Sequence, residues 1–204
     1  MIETHPFGNF IPPKMRYLLL GSFGAKGADT NPETGWYYGS KFNQLWKILE
    51  KVYSMELQDK KSKVKLFTHL RMGVSDIIHQ CERKDGSSLD TNLINIVYNH
   101  SISNILEERN IEKIFFTSRF VEKNFRKVFK YLVEGYPEIE LITLPSPSPR
   151  YARMSLDEKV EKYKELMPKI WLAGLVRGKV NDLTLEGCAA VPLCQESLDT
   201  RYCS

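Results

Sequence analysis

The stretch Arg16-Tyr17-Leu18-Leu19-Leu20-Gly21-Ser22-Phe23-Gly24-Ala25-Lys26-Gly27 decides the fold. Its first half is a short apolar run stopped by a glycine, the pattern of a strand buried on both faces. Its second half is a glycine-rich loop that extends to about Gly39. Downstream, apolar residues at Phe42, Leu45, Trp46, Ile48, Leu49 and Val52 recur at helical spacing. Residues 57–65 are polar and lysine-rich, a solvated loop or a helix start. Met72 to Ile78 reads as a second strand, Asn99 to Arg109 as a helix, and Lys113 to Thr117 as a third strand. Arg119 to Val133 reads as one amphipathic helix and Glu140 to Leu144 as a fourth strand. Ser155 to Trp171 is expected to form the last helix, with Ser155 as N-cap and Glu158 as its capping-box partner. Strands alternating with helices imply an α/β domain: three α/β/α layers around a central, mostly parallel, four-stranded sheet.

In such sheets ligands bind at the carboxyl ends of the strands. Two loops are placed there: residues 21–43 after the first strand, and the proline- and serine-rich turn 145–153 after the fourth. A phosphate-loop reading of Gly21 to Gly27 fits poorly, because the glycines run G-x-x-G-x-x-G and Lys26 precedes the last of them. The glycines could simply make a tight turn.

Composition sets the outer limits. The 204 residues are 42% hydrophobic and 26% charged, the balance of a soluble globular chain, with a net charge of +4 that permits nucleic-acid binding without demanding it. No apolar run approaches the ~20 residues of a membrane span and no leader pattern opens the chain, so a cytoplasmic location is expected. Residues 1–172 are expected to form the domain. Residues 173–204 read as a poorly ordered extension or small add-on holding Cys188, Cys194 and Cys203, whose spacing matches no common metal site. No metal or cofactor is expected.

Several further motifs occur in order between about residues 4 and 170: His5-Pro6-Phe7, Gly21-Ser22-Phe23, Tyr37-Tyr38-Gly39, Asn43 with Trp46, Cys81-Glu82-Arg83, Ser88-Leu89-Asp90, and Leu144-Pro145-Ser146-Pro147-Ser148-Pro149. Together they resemble the uracil-DNA glycosylase superfamily, and within it the hypoxanthine-DNA glycosylase branch. Two departures stand out: Gly24-Ala25 where the branch usually has Pro-Gly, and Leu45 where a phenylalanine is commoner. The resemblance implies a monofunctional DNA glycosylase of base excision repair that removes a deaminated base: hypoxanthine first, with uracil or xanthine as alternatives. It implies Asn43 as the water-positioning residue and a base site formed by Gly21, Ser22, Phe23, Tyr37 and Tyr38, with Tyr38 stacking on the extruded base. It also implies a DNA-contacting turn carrying Ser146, Ser148, Arg150 and Tyr151. The partner is DNA with a damaged base, bound by a monomer. The superfamily's uracil specialists have a histidine where this chain has Leu144, which favours a purine leaving group.

Plainer readings of the same residues remain open. Asn43 also suits a helix start, and Asp29 and Glu33 are fallback water activators. Asp76, near the end of the second strand, could face the site or make a structural hydrogen bond. The four histidines form no ligand spacing and read as core or surface residues. A non-catalytic DNA-binding protein of the same fold, or a nucleotide enzyme using the Gly21–Gly27 loop, are the competing functions.

Overall fold

A computed structural model describes residues 1–31, 33–86 and 89–170. The apolar run beginning at Tyr17 is the central strand of a parallel sheet. In chain order the elements of the main layer are β2 (Tyr17–Gly21), β3 (Met72–Asp76), β6 (Lys113–Phe116) and β7 (Glu140–Thr143), and they lie side by side as β3-β2-β6-β7, all parallel. Side chains alternate across a strand, so one strand feeds two cores. Leu19 and Phe115 point to one face, where they meet Ile48 and Leu49 of α1 (Leu45–Tyr53), Leu66 and Phe67 of α2 (Lys60–His69), and Val160 and Tyr163 of α6 (Leu156–Leu166). Leu18, Leu20, Ile114 and Phe116 point to the other. There they meet Ile102 and Ile105 of α3 (Ser101–Glu108), Val121 and Phe125 of α4 (Arg119–Val128), and Leu132 of α5 (Lys130–Gly135). Each fully buried leucine or phenylalanine contributes about 1.5–3 kcal/mol of transfer free energy. The expected three-layer α/β/α architecture is therefore the observed one.

Five expectations about the elements are corrected. A second sheet, absent from the sequence reading, consists of β1 (Ile2–Thr4), β4 (Ile78–Arg83) and β5 (Leu93–Tyr98), antiparallel in the order β1-β4-β5. The second strand ends at Asp76 rather than Ile78. There the chain turns, with Ile77 and Ile78 N–H donating to the carbonyls of Gly21 and Ser22 at 2.9 and 3.1 Å. The helix drawn over 119–133 is two helices, broken at Phe129 (φ −105°, ψ 33°), which leaves Phe125, Phe129 and Leu132 all buried. The last helix stops at Leu166, because Met167 precedes Pro168 and is held extended at ψ 153°. Its start matches the expectation: Ser155 Oγ accepts from Glu158 N–H, and Glu158 accepts from Ser155 N–H at 2.7 Å. Phe42, placed on the apolar stripe of α1 by spacing, precedes the helix and is exposed. Trp171 and the proposed extension 173–204 lie outside the described residues.

Candidate active site

A cavity of roughly 590 Å³ opens beside the carboxyl ends of β2 and β3, between the chain start and the loop after β2; no residue of the turn after β7 lines it. Phe23, Tyr37 and Tyr38 line it, together with His5, Asp76 and Arg83. Gly21 lies beneath. A Cβ at this position would stand 2.2 Å from Asp76 Oδ1 and 2.4 Å from the Tyr38 hydroxyl, so only glycine lets these two side chains close over the strand end. Ser22 is anchored, its hydroxyl donating to Asp90 Oδ1 at 2.7 Å.

The loop reaches the cavity by bracing itself. Asp29 accepts from Asn31 N–H at 3.0 Å and from the Thr34 hydroxyl at 2.8 Å. These bonds hold the Asp29 carboxyl below its usual range, the Asn31 backbone contributing most. Gly35 packs so closely on the carbonyls of Asp29 and Asn31 that no side chain fits. Both oxygens of Asp29 are thus used inside the loop, and neither it nor Glu33 lines the cavity. Tyr38 follows in a left-handed conformation, φ 56°. A non-glycine residue held there costs on the order of 1 kcal/mol or more, and such residues gather at functional sites. Its ring is half-buried, and its hydroxyl reaches Thr117 Oγ1 only at 3.5 Å. Burial, with the Asp76 charge adding, keeps the Tyr38 phenol protonated. Tyr37 is buried instead, donating to the Gly8 carbonyl at 2.7 Å.

The centre of the aromatic wall is a residue the sequence reading placed in the core or on the surface. His5 stacks on Tyr37 with ring centroids 5.4 Å apart, and Phe7 and Phe23 meet it edge-on. Its Nε2 lies 2.8 Å from Asp76 Oδ2, and its Nδ1 lies 2.9 Å from the Phe7 carbonyl. Burial alone lowers the His5 pKa, but the hydrogen bond and charge of Asp76 and the Phe7 carbonyl outweigh it, so the net shift is upward. The signal was present in His5-Pro6-Phe7, one of the motifs behind the resemblance, but the partner lies 71 residues away. Asp76 Oδ1, by contrast, is buried with no hydrogen-bond partner among the described residues. Asp90 stands close enough to feel the Asp76 charge. Burial pushes its carboxyl up against the opposing bond from Ser22. Arg83 lies over the Phe23 ring, pairs with Glu3 at 3.0 Å and bonds the Gly24 carbonyl.

The remaining expected residues form a second group beside the cavity. Asn43 is half-buried just before α1, and its Oδ1 accepts from Leu45 N–H at 2.9 Å, the local role of a residue at a helix start. Asn43 does not line the cavity that holds Asp76. The proline-rich turn docks against the neighbouring Gln44 and against α6: Gln44 N–H donates to the Pro147 carbonyl at 2.9 Å and the Tyr163 hydroxyl to the Pro145 carbonyl at 2.9 Å. The buried Lys159 ammonium donates to Gln44 Oε1 at 2.8 Å and to the Ser148 carbonyl at 3.1 Å. The carbonyls of the turn are thus drawn inward. Ser146 and Ser148 hydroxyls accept from the N–H groups of Ser148 and Arg150 at 3.3 Å. Arg150 is exposed, and Tyr151 is half-buried under the Lys159 ammonium.

No protein-family model matches the chain, and no curated protein sequence matches it. A solved structure does. The solution NMR structure of a protein from Methanosarcina acetivorans, described as a "putative Uracil DNA glycosylase", matches 81% of this chain and 98% of that one, with a TM-score of 0.57 and 22% identity. Both chains share the α/β fold with a four-stranded parallel sheet flanked by helices.

Proposed function

We propose that this chain is a monofunctional DNA glycosylase that hydrolyses the N-glycosidic bond of a deaminated base, with hypoxanthine the first substrate and uracil or xanthine next. The observation that carries the reading is the aromatic cavity at the strand ends, with Tyr38 held over Gly21 in a left-handed conformation. A base in a duplex must leave the stack to be cut, and it needs a flat pocket to enter. Tyr38 and Phe23 offer such walls.

Arg150 at the tip of the turn suits phosphate contact, and Tyr151 suits the space left by the extruded base. Loss of the base develops positive charge on the sugar, and Asn43 holds the water that attacks it. DNA is the partner, the chain acts as a monomer in the cytoplasm, and the reaction needs no cofactor.

The test is Asn43→Ala. The reading expects excision to be lost while duplex binding is retained. The lost bond to Leu45 N–H also weakens the start of α1, by about 1 kcal/mol, so a melting curve accompanies the assay. Unimpaired turnover by a folded variant removes the role given to Asn43.

A further inference from the structure

Between the cavity and α1 the chain makes a tight turn. Asn43 N–H donates to the Ser40 carbonyl at 2.9 Å and closes four residues, with Lys41 and Phe42 at the tip. Both feet of the turn are fixed. Gly39 and Ser40 line the cavity, and Gly39 packs too closely on the Trp36 carbonyl for a side chain to fit. On the other side Asn43 accepts from Leu45 N–H, and Gln44 N–H donates to the Pro147 carbonyl of the proline-rich turn. The tip itself stands in solvent. Lys41 is exposed and Phe42 is 67% exposed, although Leu45, Trp46, Ile48 and Leu49, which follow in α1, are all buried. The Lys41 ammonium lies over the Phe42 ring, 4.9 Å from its centroid, and pairs with no carboxylate among the described residues.

A lone exposed apolar side chain is ordinary on a protein surface. This one is set apart by its place and its neighbour. A braced turn beside the cavity presents a flat apolar ring and a positive charge together. Bases stack on aromatic rings, and the phosphates beside them attract cations. Extrusion of a base leaves the flanking base without a stacking neighbour, and an apolar side chain entering such a step covers it. Resting on the glycosylase reading above, we infer that the Lys41–Phe42 tip is a second DNA contact: Phe42 stacks on the base beside the extruded nucleotide, and Lys41 meets the phosphate next to it. Tyr151 is offered the gap itself; Phe42 is offered the base at its edge, so two loops grip the strand instead of one. Asn43 closes the same turn, and a ring seated in the stack therefore also fixes where Asn43 lies.

The experiment separates this inference from the reading it rests on. Duplexes carry 2-aminopurine on one side or the other of a tetrahydrofuran abasic analogue, which has no base to excise, and hypoxanthine duplexes are assayed for excision alongside. An aromatic ring stacked on 2-aminopurine dims its fluorescence. Wild type is expected to dim the probe on one flank. Phe42→Ala is expected to abolish that dimming and to weaken binding roughly 5- to 150-fold, the span for one base–aromatic contact; Phe42→Trp is expected to restore both. Lys41→Ala is expected to reduce the slope of log affinity against log salt by about 0.9, one phosphate, whereas Phe42→Ala leaves the slope unchanged. The tip is exposed, so all three variants should melt as wild type does. A Phe42→Ala variant that dims the probe as wild type does overturns the inference, whatever its affinity, and an unchanged slope in Lys41→Ala removes Lys41 from it. Dimming that depends on Phe42, in a protein that excises no base, keeps the contact and removes the glycosylase reading. Excision without such dimming removes the contact alone, and failure to bind any of these duplexes overturns both.

Discussion

Gly21→Ala probes the crowded floor of the cavity directly. The new methyl carbon would stand 2.2 Å from Asp76 Oδ1 and 2.4 Å from the Tyr38 hydroxyl, well inside contact distance. Neither neighbour yields freely: Asp76 is pinned through Oδ2 by His5, and Tyr38 sits in a constrained left-handed backbone. Forcing a methyl group into a packed interior costs about 1–3 kcal/mol. Alanine recovers about 0.4–1 kcal/mol by restricting the unfolded chain. The net loss is about 1–2 kcal/mol, a fall in Tm of roughly 2–8 °C for a domain of this size. Calorimetric melting of both proteins measures it, and binding of free hypoxanthine, expected to fall as well, gives a second readout. An alanine variant that melts at or above the wild-type temperature and binds the base unchanged would refute the close packing of Asp76 and Tyr38 on Gly21.

Other expectations follow from the same packing. Lys159→Met leaves Gln44 Oε1 and the Ser148 carbonyl without their donor; a loss of about 1–3 kcal/mol in denaturant unfolding is expected, with weaker DNA binding as the turn loosens. The raised His5 pKa means that protonation of His5 favours the folded state. Its stabilisation is complete below the unfolded value near 6.5 and is lost as pH rises through the higher folded value, so the Tm advantage of wild type over His5→Asn should shrink from about pH 6.5 upward. A constant advantage across that range would contradict the His5–Asp76 pairing. Ser155→Ala removes the capping box of α6 and is expected to cost about 1 kcal/mol in thermal unfolding.

Much of the frame was legible because its signals are local. Leu18, Leu19 and Leu20 form an uninterrupted apolar run, as buried parallel strands do, and Ser155 with Glu158 states the start of α6 within four residues. The small sheet was not legible. In β4 and β5 the buried positions are few, with Ile78 and Cys81 in one and Leu93 in the other, and Asn95 breaks the second with φ 50°. The partners of β4 lie at the chain start and across a turn, out of reach of a periodic reading. The candidate site divides the same way. Phe23, Tyr37 and Tyr38, which the resemblance assigns to the base site, all line the cavity. The pairing of His5 with Asp76 was not legible, because the two lie 71 residues apart. Asn43 shows the converse: its local bond to Leu45 N–H suits a helix start and a catalytic position equally, and pattern alone does not separate the two.

The central claim is tested most directly by incubating the protein with end-labelled duplexes carrying hypoxanthine, uracil or xanthine opposite each normal base, followed by alkali cleavage at abasic sites. The account predicts strand cleavage at hypoxanthine, and none at adenine or cytosine in the same duplexes. Intact strands on every duplex, with the protein demonstrably bound to them, would contradict it and leave a DNA-binding protein of this fold.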